Sequence, residues 1–146
     1  MKNISAKPVV HRRAVAEGRL ELSQESAEMI LQNAVGKGDV HQTARLAAVQ
    51  AVKATPVVVF ECHPITITSV EIHTELKDRT FLARVAVEAL DRTGCELEAL
   101  NGVLMALLNV WDLVKPYEKD SRGLYPLTRI RDVRVVEKTK KAPEEK

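Results

Sequence analysis

Four short clusters hold the residue types that acid–base and phosphate chemistry need: Gly36-Lys37-Gly38-Asp39, Cys62-His63-Pro64, Gly94-Cys95-Glu96-Leu97-Glu98, and Asp112 with Lys115. Lys37 stands between two glycines just before a helix start. Free backbone N–H groups and the positive end of a helix dipole favour an anion there, and the glycines permit close approach. The same pattern suits a helix-ending glycine followed by a solvated lysine, and it is shorter than a P-loop. His63 follows the apolar run 57–60, which places it at a strand or loop edge, and Pro64 fixes the backbone after it. An imidazole so held suits proton transfer near neutral pH, or equally a partly buried structural role. His11, His41 and His73 stand alone and read as surface residues.

Glu96 and Glu98 fall in the first turn of a long helical pattern, where carboxylates complement the dipole by ~0.3 to 1 kcal/mol each. Two positions apart on a helix means side chains about 200° apart, so one of them faces inward or toward a partner. Asp112 and Lys115 are three apart and can touch, an exposed pair being worth only ~0.2 to 0.5 kcal/mol. Lys115 suits the C-terminal end of that helix and Asp112 conflicts with it. The local conflict favours a working pair over a decorative one. Glu96 and Asp112 are separated by about 24 Å on one unbroken helix. For both to serve one small-molecule site, the helix must break or a second subunit must bring its opposite end.

The elements that position these residues follow from hydrophobic spacing. Ser23 caps a helix over 23–35 whose apolar residues are Ala27, Ile30, Leu31 and Ala34, with Gly36 as its stop. Asp39 and Gln42 form a capping-box variant for a second helix, whose stripe of Val40, Ala44, Ala47, Ala48, Ala51 and Val52 runs to about Ala54, before Thr55-Pro56. Period-two alternation over 70–76 and 81–89 flanks Lys77-Asp78-Arg79 and predicts a hairpin. From Glu96 the helical period returns through Leu97, Leu100, Leu104, Leu107, Leu108, Trp111 and Val114, ending before Pro116. Strands over 19–22, with Val15 before them, and around Ile130, Val133 and Val135 complete the order β, α, α, β, β, α, β. That order predicts an α+β domain, helices on one face of an antiparallel sheet. Residues 1–138 form this single domain, and 139–146 read as a mobile polar tail.

Composition sets the remaining bounds. The chain has 146 residues, 45% hydrophobic, with 22 basic and 20 acidic side chains for a net charge of +2. This is one ordinary domain with a real core. Five aromatic rings, 3% of residues, are too few for a single-strand stacking platform, and the charge is too balanced for duplex phosphate or anionic lipid. The expectation is no nucleic acid and no membrane. No apolar run approaches the ~18 to 20 residues of a membrane span, and no secretory signal is evident, which predicts a cytosolic protein. Cys62 and Cys95 read as reduced thiols, with no metal-ligand spacing.

Five motifs recur in one order: Ile4-Ser5-Ala6-Lys7 with Arg12 and Ala14; Lys37-Gly38-Asp39-Val40 with Thr43-Ala44-Arg45; Cys62-His63-Pro64; Arg92-Thr93-Gly94 with Glu96, Glu98, Ala99 and Leu100; and Trp111-Asp112 with Lys115. Over residues 4–139 the chain thereby resembles the cyclic pyranopterin monophosphate synthase family, the C protein of molybdenum cofactor biosynthesis. The resemblance implies a ferredoxin-like fold and a homo-hexamer, a trimer of dimers with sites at dimer interfaces. It implies a lyase acting on the cyclised GTP derivative 3′,8-cyclo-7,8-dihydro-GTP, giving cyclic pyranopterin monophosphate and diphosphate; no cofactor is expected, and the metal-ligand residues are too sparse to place a protein-bound metal site. It makes Asp112 and Lys115 the acid/base pair, with Lys37 and His63 also catalytic, and gives substrate binding to Lys7, Arg12, Cys62, Glu96, Leu97, Glu98 and Lys138. Within that set Lys7, Arg12 and Lys37 suit the triphosphate, and Glu96 or Glu98 the guanine-derived edge. The chain departs from the family pattern at Leu97, where Met is frequent, at Glu61 and Pro116, and at Lys138-Thr139-Lys140-Lys141-Ala142-Pro143, where the family carries a glycine-rich segment. A non-catalytic oligomeric binder of a pterin or nucleotide is the competing expectation, and retention of both Asp112 and Lys115 favours the enzyme.

Overall fold

Alternation builds the sheet. In β1 (Val10–Glu21), Ala14, Ala16, Gly18 and Leu20 point to one side, opposite Val87, Val85, Ala83 and Phe81 of β3 (Thr80–Asp91). β2 (Ile67–Lys77) pairs with β3 through the hairpin at Asp78, which sits at φ 53°. β4 (Arg129–Lys141) pairs with the other edge of β1, so the antiparallel order is β2-β3-β1-β4. This computed structural model describes residues 1–143. With α1 (Gln24–Leu31), α2 (Val40–Val58) and α3 (Glu96–Glu118), the element order is the expected one, and the topology is ferredoxin-like.

The core between α2, α3 and the sheet is aliphatic, with Phe81 its one fully buried aromatic side chain. Gly102 seats α3: a Cβ there would lie 2.9 Å from Val52 and 3.1 Å from Val85, so a bare backbone lets three elements meet. The opposite sheet face is charged. Glu17, from which Arg19, Arg84 and Arg134 each stand 3.4 Å away, is buried beneath those side chains.

Several boundaries differ from those expected. α1 stops at Leu31, short of 35, because Asn33 turns left-handed at φ 50°. The Ala34 and Asn33 N–H groups then close onto Met29 and Ile30 carbonyls (2.9 and 3.0 Å), a glycine-type helix ending built on asparagine. α2 runs to Val58 and α3 to Glu118, through Pro56 and Pro116. A last-turn proline forfeits a single intrahelical bond. In α2 the final turn is also gripped by Asn101, which donates to the Ala51 carbonyl (2.8 Å) and to Thr55 Oγ1 (3.2 Å). β1 begins at Val10, well before 19. β4 carries Thr139, Lys140 and Lys141 beside Arg13, Arg12 and His11, so the strand continues past the expected boundary at Lys138. Residues 144–146 of the expected tail lie outside the described residues. By length and mean composition α3 would be long and apolar enough to cross a membrane, although polar and charged residues interrupt it, and half of that stretch is buried inside the domain.

Candidate active site

The C-terminal end of α3 gathers one carboxylate and two ammonium groups. Asp112 Oδ1 is 2.7 Å from Lys115 Nζ on the same helix face. Its Oδ2 is 3.0 Å from Lys37 Nζ, which also donates to the Asp112 carbonyl at 3.1 Å. The capped start of α2 explains why Lys37 reaches across. Asp39 already takes the Gln42 N–H (2.9 Å), and Gly38 at φ 127° turns the chain so that the lysine extends toward α3. Two cations relieve the conflict of an acid at a helix C-terminus. Hydrogen bonds from Lys115 and Lys37 hold the Asp112 carboxyl below the usual range, and Asp112 in turn raises Lys115. All three side chains are solvent-accessible, so the cluster adds little to folding and stands open to a ligand.

The N-terminal end of α3 gathers the other candidates. Glu98 is 1% exposed; its Oε1 accepts from the Cys62 thiol at 3.5 Å, and its Oε2 has no partner among the described residues. Burial pushes the Glu98 carboxyl above the ordinary range, and the nearby Glu96 and Asp91 charges add to it. Burial, followed by the Glu98 charge, pushes Cys62 up to about 11. Burial is the largest single influence on Glu96 and acts to raise it, but the Lys138 ammonium bonded to it, a backbone hydrogen bond and the Arg12 charge together outweigh burial, and Glu96 lies below its usual range. Leu97 between them is 44% exposed. Arg12 donates to the Asp91 and Arg92 carbonyls, each at 3.0 Å. Arg92 holds the carbonyls of Ser5 (2.9 Å) and Lys7, so the Lys7 segment is tied to the connection between β3 and α3. His63, half-buried, follows Cys62 in the loop after α2.

The structure therefore divides the expected residues into two groups. Lys7, Arg12, Cys62, His63, Glu96, Leu97, Glu98 and Lys138 share one end of α3; Lys37, Asp112 and Lys115 share the other. α3 is unbroken between Glu96 and Asp112, which keeps the ends about 24 Å apart. Lys37 and His63, grouped as catalytic from sequence, do not meet within one chain. Among the described residues no three His, Cys, Asp or Glu side chains form a metal-binding group. His41 corrects the surface expectation: its Nδ1 is 2.8 Å from Thr74 Oγ1, its ring packs on Phe81 at 5.1 Å, and burial lowers its pKa.

Two aromatic residues near the Asp112 end, Tyr117 and Tyr125, were not singled out in the sequence. Trp111 meets Tyr125 edge-on at 5.5 Å, Tyr125 lies close enough to Lys115 to influence its charge, and Tyr117 reaches Gly36. Tyr117 stands two positions after Lys115, a spacing that flags it only once α3 is known to pass Pro116.

Glu98 provides a stability test. Its raised pKa means that the unfolded chain gives up this proton at a lower pH than the folded one. Stability is therefore lost as pH climbs from the ordinary carboxylate range to the folded value, and the loss is constant above it. Glu98→Gln cannot ionise. Its melting temperature relative to the parent should rise across that window and then level off, as measured by thermal melts between pH 4 and pH 8.

The fold and site together define a class: a small α+β domain of ferredoxin-like topology with a lysine–aspartate–lysine cluster and a buried glutamate at opposite ends of its longest helix. The MoaC family model matches residues 1–141. A probable cyclic pyranopterin monophosphate synthase of Pyrococcus abyssi is 48% identical over 140 residues, covering 96% of this chain and 88% of the relative. One of Thermococcus kodakarensis is also 48% identical, over 96% of this chain and 90% of the relative. A probable cyclic pyranopterin monophosphate synthase accessory protein of Methanothermobacter thermautotrophicus is 43% identical, over 96% and 88%. The chain belongs to the MoaC family.

Proposed function

We propose that the protein is a cyclic pyranopterin monophosphate synthase of molybdenum cofactor biosynthesis, converting 3′,8-cyclo-7,8-dihydro-GTP to cyclic pyranopterin monophosphate and diphosphate. The observation that carries the proposal is Asp112 bridging Lys115 (2.7 Å) and Lys37 (3.0 Å) in a solvent-accessible cluster within a chain matched by the family almost end to end. Opening a purine ring and re-closing it as a pterin takes several proton transfers, and forming a cyclic phosphate expels diphosphate, whose charge cations stabilise. Lys115, raised by Asp112, enters protonated and serves as proton donor. Lys37, Lys7 and Arg12 neutralise the phosphates. Glu96 and Glu98, two carboxylates whose pKa values move in opposite directions, divide the remaining roles: Glu96 stays ionised toward the guanine-derived edge, and Glu98 holds or releases a proton. His63 moves a second proton from the same end, beside Cys62, Leu97 and Lys138.

A single site then draws on two chains, the Glu96 end of one and the Asp112 end of another. This reading is supported by the unbroken α3 and by an apolar groove of about 590 Å³ between α2 and α3, lined by residues including Leu46, Ala54, Val58 and Met105. Val57, Val58, Phe60, Leu104 and Leu108 are exposed on α2, α3 and the loop between α2 and β2, a surface that a second copy would cover. Three such dimers give the homo-hexamer, acting on a small molecule in the cytosol. Incubating the purified protein with the cyclised dihydro-GTP should release diphosphate and the pyranopterin. Binding of the substrate without product would instead make this a binding protein.

A further inference from the structure

We infer that Tyr117 is a positioning residue for Lys37, fixing the α1–α2 connection to the helix that carries Asp112 and Lys115. The kinetic part of this inference rests on the synthase reading; the geometric part does not. The Gly36 N–H donates to Tyr117 Oη at 3.3 Å. The next residue, Lys37, places its ammonium on the Asp112 carbonyl and carboxylate at 3.1 and 3.0 Å. One exposed loop is thus tied to one helix twice, by its backbone through Tyr117 and by its side chain through Asp112.

Beyond Asp39, which caps α2, little else holds this stretch. Residues 36–39 are exposed, the Gly38 N–H makes only a local turn to the Val35 carbonyl (3.1 Å), and open space surrounds Gly38. A lysine carries its charge on a flexible four-carbon stem, so an anchored backbone decides how often the ammonium stands where the chemistry needs it. Tyr117 is itself firmly seated. Its ring packs against the core, and its carbonyl accepts from Ser23 Oγ at 3.3 Å. The adjoining Glu118 is buried, with both carboxylate oxygens 2.9 Å from the Ser23 N–H. The last turn of α3 therefore grips both the start of α1, through Ser23, and the connection beyond it, through Gly36.

The test is Tyr117→Phe, which keeps the ring and deletes the hydroxyl. Amide exchange followed by NMR should show the Gly36 N–H exchanging roughly five- to tenfold faster, the scale of one lost hydrogen bond. Amides of β1 and β3 and the melting temperature should be unchanged. In turnover, kcat should fall by a similar factor with KM little altered, and the effect should vanish in a Lys37→Ala background, since a residue acting through Lys37 has nothing left to position. Unchanged Gly36 exchange, uniformly faster exchange across the domain, or a full Tyr117→Phe penalty on top of Lys37→Ala would each overturn the inference. A parent protein without turnover would sink the synthase reading, while the exchange measurement would still decide the role of Tyr117.

Discussion

Lys115→Ala should lower turnover of the cyclised dihydro-GTP by about 10²- to 10⁴-fold, the range expected when a positioned acid/base group is removed, and should leave the oligomer size and the melting temperature near those of the parent. The separation of effects follows from exposure. Lys115 and Asp112 stand 42% and 53% exposed, and pairs in such surroundings contribute little to folding. Size-exclusion chromatography and a melt should therefore show a normal protein, while diphosphate release falls by the stated factor. A variant turning over at near the parental rate would exclude Lys115 as the proton donor.

The second large effect is that of Asp112→Asn. It removes the one anion between two ammonium groups while keeping the side-chain shape. Turnover should fall by on the order of 10²-fold, and the pH dependence should change in a defined direction. The hydrogen bond and charge of Asp112 raise Lys115. Without them Lys115 faces Lys37 with no intervening charge, and its pKa drops. If Lys115 acts protonated, the alkaline limb of kcat moves to lower pH in Asp112→Asn. An alkaline limb that stays in place would mean that another group sets it.

How much of this was legible in the sequence depends on which interaction decided each feature. Ser23 and Asp39 were readable as caps because capping is local, and their side chains accept the N–H groups of Ser26 and Gln42. The hairpin and the long helix were readable from spacing. The first half of β1 was not. Val15 and Glu17 lie on the outer face yet are buried, the latter under arginines from β1, β3 and β4, so no polar–apolar alternation marks the strand. The helix ends at Pro56 and Pro116 were misplaced because only the tertiary contacts of Asn101 and the seating of Tyr117 and Glu118 show that the final turns persist. In the site, the about 200° between Glu96 and Glu98 foretold that one would turn inward, but not which one; packing buries Glu98 and leaves Glu96 to Lys138. Lys37 was legible as a cation at a helix start, whereas its bond to Asp112, 75 residues away, was not, because sequence spacing does not encode a contact across the fold.

The division of the candidate residues between the two ends of α3 makes the central claim testable without a structure of the complex. One chain carries Lys115→Ala, the other His63→Ala with Glu96→Ala, and the two are co-expressed with different tags and assayed together. If each site joins opposite ends of two chains, a mixed dimer holds one site with all the lesions and one with none, and random pairing restores about one quarter of the parental activity. Activity of the mixture no higher than that of either variant alone would mean that each site belongs to one chain, and would contradict the account.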